Sequence, residues 1–192
     1  MHADFSLIIE TLKSKVTREK LCGFADAETY LDANGVDSEG ASALLDAVLM
    51  VLSDKNLKLV QSSLGLLMSL VQTLGEELDE LIAGVWAPLV ERFGDAKGLI
   101  RERAVDLAVA LSTQVVPASR AFEKLRPAWG HKNWRARESS LLWCGRLLAT
   151  HDVASPDTTP LLSSMLPLVR KHFSLISFRI ARTRPRLHLR VN

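Results

Sequence analysis

Few residues in this sequence could do covalent chemistry, and their spacing argues against it. The five histidines, His2, His131, His151, His172 and His188, form no cluster with Cys or acidic residues at metal-ligand intervals. Cys22 and Cys144 lie far apart and belong to no CxxC pair. No nucleophile elbow, phosphate-cradling glycine loop or HExxH is present. No catalytic residue, cofactor, metal or small-molecule substrate is therefore expected. The densest grouping of polar and aromatic side chains is the run Ala-Trp-Gly-His-Lys-Asn-Trp-Arg-Ala-Arg-Glu over 128–138. What such a run offers is recognition: an exposed Trp loses hydrophobic stabilisation unless a partner covers it, and Lys132, Arg135 and Arg137 suit an acidic surface. Beside Lys132, His131 reads as loop packing rather than as a ligand.

The elements that carry this run must be helices. Of 192 residues, 47% are hydrophobic and 24% charged, enough for a sizeable core and too apolar for disorder. Nearly every segment shows the 3.6-residue apolar period, and strand-like alternation is absent. Unpaired cysteines point to a reducing compartment. The start, Met-His-Ala-Asp-Phe, lacks the basic and apolar regions of a signal peptide. The longest uncharged run, 59–75, contains Gln61, Ser62, Ser63, Ser69, Gln72 and Thr73, which a bilayer would not favour. A cytoplasmic protein with no membrane contact is the expectation.

The helices repeat. Segments anchored at Leu59, Ile100 and Ala136, separated by 41 and 36 residues, superpose. Offsets of 7, 8 and 11 residues give Leu66, Leu67 and Leu70, then Leu107, Ala108 and Leu111, then Trp143, Cys144 and Leu147, on one helical face each. Each anchor follows a tight loop, at 53–56, 94–98 and 130–133, and each loop follows another apolar helix, over 41–52, 78–93 and 117–129. The unit is helix, loop, helix in about 40 residues, which predicts an all-α solenoid of HEAT type. A less regular first pair spans 5–12 and 16–31, and a fifth unit opens at 160–173. Four complete pairs and a partial fifth are expected, with a domain over 1–173 and an irregular basic tail over 174–192, where Pro185 interrupts any second helix.

Charge then sorts by edge. Loops within repeats carry Lys15, Arg18 and Lys20, then Lys55 and Lys58, then Lys97 and Arg101, then Lys132, Arg135 and Arg137. Loops between repeats carry Asp37 and Glu39, then Glu76, Glu77, Asp79 and Glu80, then Asp152 and Asp157. A chain of net charge +2 becomes a rod with one basic and one acidic edge, suited to orienting an acidic partner. Any single lysine can equally be a solvated side chain. Asp54, Asp95, Arg101 and Arg137 read first as structural support, an Asp of one loop pairing with an Arg between stacked repeats. The run 76–80 reads as a helix N-terminus. Trp134 stays open between inward packing and partner contact, while Trp86, Trp143 and Cys144 read as core.

The pattern Trp-Gly-His-Lys-Asn-Trp-Arg-Ala-Arg-Glu over 129–138, following Val-Glu-Arg-Phe-Gly-Asp-Ala-Lys over 90–97, resembles the amino-terminal TOG domain of the CLASP family, the cytoplasmic-linker-associated proteins, especially plant and algal members. The resemblance covers about 13–173 and stops in the fifth repeat, as in a truncated chain. TOG domains are paddles of HEAT repeats that bind αβ-tubulin through within-repeat loops. The resemblance therefore implies a microtubule-associated module acting on microtubule dynamics in the cytoplasm. Its contact residues would be Lys15 and Arg18 in the first loop, Lys55, Asn56 and Lys58 in the second, Lys97 in the third, and Lys132, Trp134 and Arg135 in the fourth. The alternative is a generic HEAT adaptor gripping another acidic protein. Nucleic acid is not an expected partner: only the tail, with Arg179, Arg182, Arg184, Arg186 and Arg190, has the charge for it, and it lacks a recognition motif.

Overall fold

The computed structural model describes residues 4–150 and 160–171, and helix is the only regular secondary structure among them. The elements are α1 (Phe5–Lys13), α2 (Thr17–Asn34), α3 (Ser38–Leu52), α4 (Leu57–Leu74), α5 (Trp86–Phe93), α6 (Gly98–Ala110), α7 (Ala118–Trp129), α8 (Trp134–Thr150) and α9 over 160–171. Consecutive helices pack as pairs, α1 with α2 through α7 with α8. The even helices α2, α4, α6 and α8 lie side by side as one layer and the odd helices as the other. This is the expected α-solenoid of HEAT repeats, with four complete pairs and the first helix of a fifth.

The repeat arithmetic explains the core. Leu59, Ile100 and Ala136 are buried, and all nine residues at the three offsets are at most 4% exposed. Apolar stripes on both layers thus meet along the whole array, and α9 extends the core through Leu161 and Met165. Trp86 and Cys144 are core residues, as is Trp143, whose indole N–H donates to Ser112 Oγ at 3.2 Å. α4 is long and apolar enough to pass as a membrane span by composition. Eight of its residues, from Leu59 to Val71, instead bury themselves among α2, α3 and α6.

The two kinds of connection are built differently. Gly35 and Gly75 end α2 and α4 with φ of 67° and 52°, the left-handed backbone that glycine enters without a Cβ penalty. Both lie at between-repeat turns. In the within-repeat turns among the described residues no positive φ is used, and side chains close the turns.

Two expectations need correction. The helix predicted over 78–93 is shorter: Gly75–Leu78 and Ile82–Gly84 are 3-10 turns, and α5 begins only at Trp86. Pro88 is the reason, since it has no N–H for the Gly84 carbonyl and its ring crowds that position. The acidic run 76–80 consequently lies in and after a 3-10 turn behind α4 rather than at an α-helix N-terminus. At the far end of the third pair, α6 passes into a π-helical turn over Leu111–Val115. The expected tail over 174–192, with Arg179, and the acidic Asp152 and Asp157 lie outside the described residues.

Candidate functional site

Four within-repeat loops, at 14–16, 53–56, 94–97 and 130–133, share one device. A side-chain acceptor at the start takes the backbone N–H two residues on. Ser14 Oγ accepts from Val16 at 3.0 Å, Asp54 Oδ1 from Asn56 at 2.7 Å, Asp95 Oδ1 from Lys97 at 2.8 Å, and His131 Nδ1 from Asn133 at 3.1 Å. Such turns satisfy an N–H that no helix can use. His131 therefore does the work of Ser or Asp at this position; its other nitrogen lies 3.7 Å from Glu91.

Because the turns match, their outer residues fall in register. One position after the acceptor come Lys15, Lys55, Ala96 and Lys132; two after come the helix N-caps Val16, Asn56 and Lys97, with Asn133 ahead of α8; four after come Arg18, Lys58, Leu99 and Arg135. Lys15, Arg18, Lys55, Lys58, Lys97 and Lys132 are exposed, and Asn56, Trp134 and Arg135 are half-buried. All nine predicted contact residues thus sit on the one edge where odd helices turn into even ones. They are not equivalent. Asn56 Oδ1 accepts from the Lys58 N–H at 3.0 Å, so that atom caps α4. The Trp134 ring lies 5.0 Å from the Arg135 guanidinium carbon, which stacks over it.

The arginines expected to pair with aspartates between repeats do something else. Arg101 donates to the carbonyls of Asp95 and Ala96 at 2.9 and 3.3 Å, and Arg137 repeats this on His131 and Lys132 at 2.5 and 3.1 Å. A guanidinium is donor-only and forked, so the unsatisfied carbonyls of a tight loop suit it as well as a carboxylate does. In the second loop the corresponding residue is Val60, which cannot donate. Arg92, from α5, fills the gap: it donates to Leu52 O at 2.7 Å and Asp54 O at 3.1 Å, and to the Asp95 carboxylate at 2.9 Å. Asn133 Nδ2 donates to Gly94 O at 2.6 Å and Ser139 Oγ to Phe93 O at 2.9 Å. Loops two, three and four are therefore laced together.

Arg92 and Asn133 were missed as linking residues. The signal available was Val60 itself, which leaves a carbonyl without the arginine that the third and fourth loops supply. Also missed were three exposed apolar residues on this edge, Val16, Leu57 and Leu99, at 51, 39 and 49% exposure. They fall between the core offsets at the loop or first turn. The opposite edge is acidic: Glu76, Glu77 and Glu80 are exposed, Asp37 caps α3, and Asp79 accepts from Arg120 at 2.5 Å.

A family model described as CLASP N terminal matches residues 38–173. The chain belongs to the CLASP N-terminal family. Its similar proteins include the CLIP-associated protein of Arabidopsis thaliana, 29% identical over 132 residues, which are 68% of this chain and 9% of that protein. They also include the CLIP-associating protein of Drosophila melanogaster, 27% identical over 72% of this chain and 10% of that one. CLIP-associating protein 1-A of Xenopus laevis is 28% identical over 69% and 9%. The chain thus spans about a tenth of the length of these relatives, and the plant and animal identities barely differ. In fold, the crystal structure of the MAST/Orbit N-terminal domain superposes with a TM-score of 0.71, covering 90% of this chain and 81% of that one at 24% identity. The first helical pair precedes the residues that the family model matches.

Proposed function

We propose that this CLASP N-terminal domain is a non-enzymatic microtubule-associated module whose within-repeat edge docks on αβ-tubulin. The observation that carries the reading is the register of the loops: four turns closed by the same hydrogen bond hold Lys15, Lys55, Lys97 and Lys132, with Arg18, Lys58 and Arg135, along one edge. Tubulin is acidic, and a rigid basic row sets on-rate and orientation toward such a surface. Val16, Leu57 and Leu99 add apolar area between the charges, and Trp134 with its stacked Arg135 supplies the kind of anchor that dominates interfaces.

No bond is made or broken. The interlaced loops keep the edge preformed, so little ordering entropy opposes docking. Altering polymer growth then requires either unequal affinity for two tubulin conformations or tethering to further sites. The location that follows is the cytoplasmic microtubule. An adaptor for another acidic protein would use the same edge; the family relationship favours tubulin. Size-exclusion co-elution with tubulin at low salt tests the reading, wild type shifting into the complex peak. A wild-type chain that fails to co-elute removes it.

A further inference from the structure

The near-neutral total charge conceals a division. Residues 1–157 hold 17 Lys and Arg against 22 Asp and Glu, a net of −5, whereas residues 158–192 hold seven Lys and Arg and no acid, a net of +7. A basic segment is tethered to an acidic body.

Among the described residues, a groove with four carboxylates lies on the outer face of the even-helix layer and reaches the basic edge at Leu99. The groove holds about 530 Å³ and crosses α2, α4 and α6. Glu28 and Asp32 form one wall and Glu102 and Asp106 the other, with Arg103 as the one base among the lining residues. The floor is uncharged, made by Leu64, Gly65, Met68 and Ser69 of α4. Gly65 leaves room for the acid beside it, since a Cβ there would come within 3.0 Å of Glu28 Oε1. Burial first, and then the charge of Asp32, push the Glu28 carboxyl above its ordinary value against the opposing pull of Arg103, consistent with uncompensated negative charge in the groove. Asp106 also meets Arg146.

We propose that this groove is the docking surface for the chain's own segment Arg-Thr-Arg-Pro-Arg-Leu-His-Leu-Arg over 182–190. Pro185 opposes a helix there. In an extended segment Arg182, Arg184, Arg186 and Arg190 alternate with Leu187 and Leu189, so one side is basic and the other apolar. That pairs leucines with the Leu64 and Met68 floor and arginines with carboxylate walls, which they meet bidentately. The ten residues between α9 and Arg182 reach roughly 33 Å when extended, against about 10 Å for each step between packed helices. The two steps from α9 back to the third pair and one across the layers fall within this reach. Tethering supplies an effective concentration in the millimolar range. The acidic between-repeat edge is the weaker competitor, because its clefts hold two carboxylates each rather than four: Glu76 with Asp79, which Arg120 holds, and Glu39 with Asp37, which caps α3. The docked segment keeps its arginines from other acidic ligands until salt or a stronger acid displaces it.

The test uses the full chain, with a nitroxide on Asn192→Cys in a Cys22→Ser background; Cys144 is buried and stays unlabelled. Amide NMR at low salt should show the signals of Gly65, Ser69 and Glu102 broadened several-fold more than those of Glu77 and Thr113, independent of protein concentration. Half-molar salt should remove the difference, as should Asp32→Lys with Glu102→Lys, both exposed positions that folding tolerates. Absent broadening, broadening centred on 76–80, loss on dilution, or indifference to the double reversal overturns the proposal. None of these results depends on tubulin.

Discussion

The side-chain amide of Asn133 donates to the Gly94 carbonyl at 2.6 Å while its oxygen accepts from the Arg135 N–H at 3.1 Å. One residue thus closes the first turn of α8 and ties the fourth loop to the third. Asn133→Ala should destabilise the domain by about 1–3 kcal/mol, the range for losing a cap and a half-buried hydrogen bond together. The readout is a lower denaturation midpoint at unchanged slope. Asn133→Asp keeps the acceptor but sets a carboxylate against a carbonyl, so it should recover little of the loss. Full recovery would show that the link between loops carries no energy.

Arg92 joins three groups of two repeats through a side chain that is only 17% exposed. Arg92→Lys keeps the charge but not the fork, and is expected to destabilise by roughly 1–3 kcal/mol. Arg126→Ala, which breaks an exposed pair with Glu123, should stay within about 0.5 kcal/mol. Equal effects in thermal denaturation would contradict the bridging role.

The two cysteines should differ in reactivity. Burial pushes the Cys144 thiol up to about 11, whereas Cys22 is exposed. Mass spectrometry after alkylation at pH 8 should find one modified thiol in the native chain and two after unfolding. The pH dependence has a definite sign. An unfolded Cys144 releases its proton near 9 and the folded one near 11, so the native state binds more protons in between. Stability should therefore fall as pH rises from 9 to 11, and Cys144→Ala should flatten that slope.

Leu57 tests the apolar part of the edge. At 39% exposure, Leu57→Ser should change stability by no more than about 0.5 kcal/mol. Tubulin affinity, measured by sedimentation at low salt, should weaken several-fold. Trp134→Ala should weaken it further, because both the ring and the ordering of Arg135 are lost. Unchanged binding by both variants would restrict recognition to the charges alone.

Periodicity was enough for the fold because a solenoid repeats one packing problem: the offsets from Leu59, Ile100 and Ala136 all point inward. The helix over 78–93 was misjudged because apolar content does not register a missing N–H, and Pro88 decides where α5 starts. At the edge, loop positions were legible from alternating helices and polar breaks. The roles of Arg92, Arg101, Arg137 and Asn133 were not, since backbone carbonyls, their actual partners, have no letter in the sequence. His131 likewise reads as an oddity until its Nδ1 is seen replacing an aspartate oxygen.

The central claim is that the basic row, rather than charge in general, meets tubulin. Fluorescence anisotropy of the labelled chain titrated with tubulin at low salt tests it, comparing Lys55→Glu plus Lys132→Glu with Lys124→Glu plus Arg126→Glu, an equal charge change on the exposed face of α7. The loop pair should lose at least about tenfold in affinity, the equivalent of 1.4 kcal/mol, while the α7 pair stays near wild type. Equal loss in both, or none in the loop pair, would contradict the account.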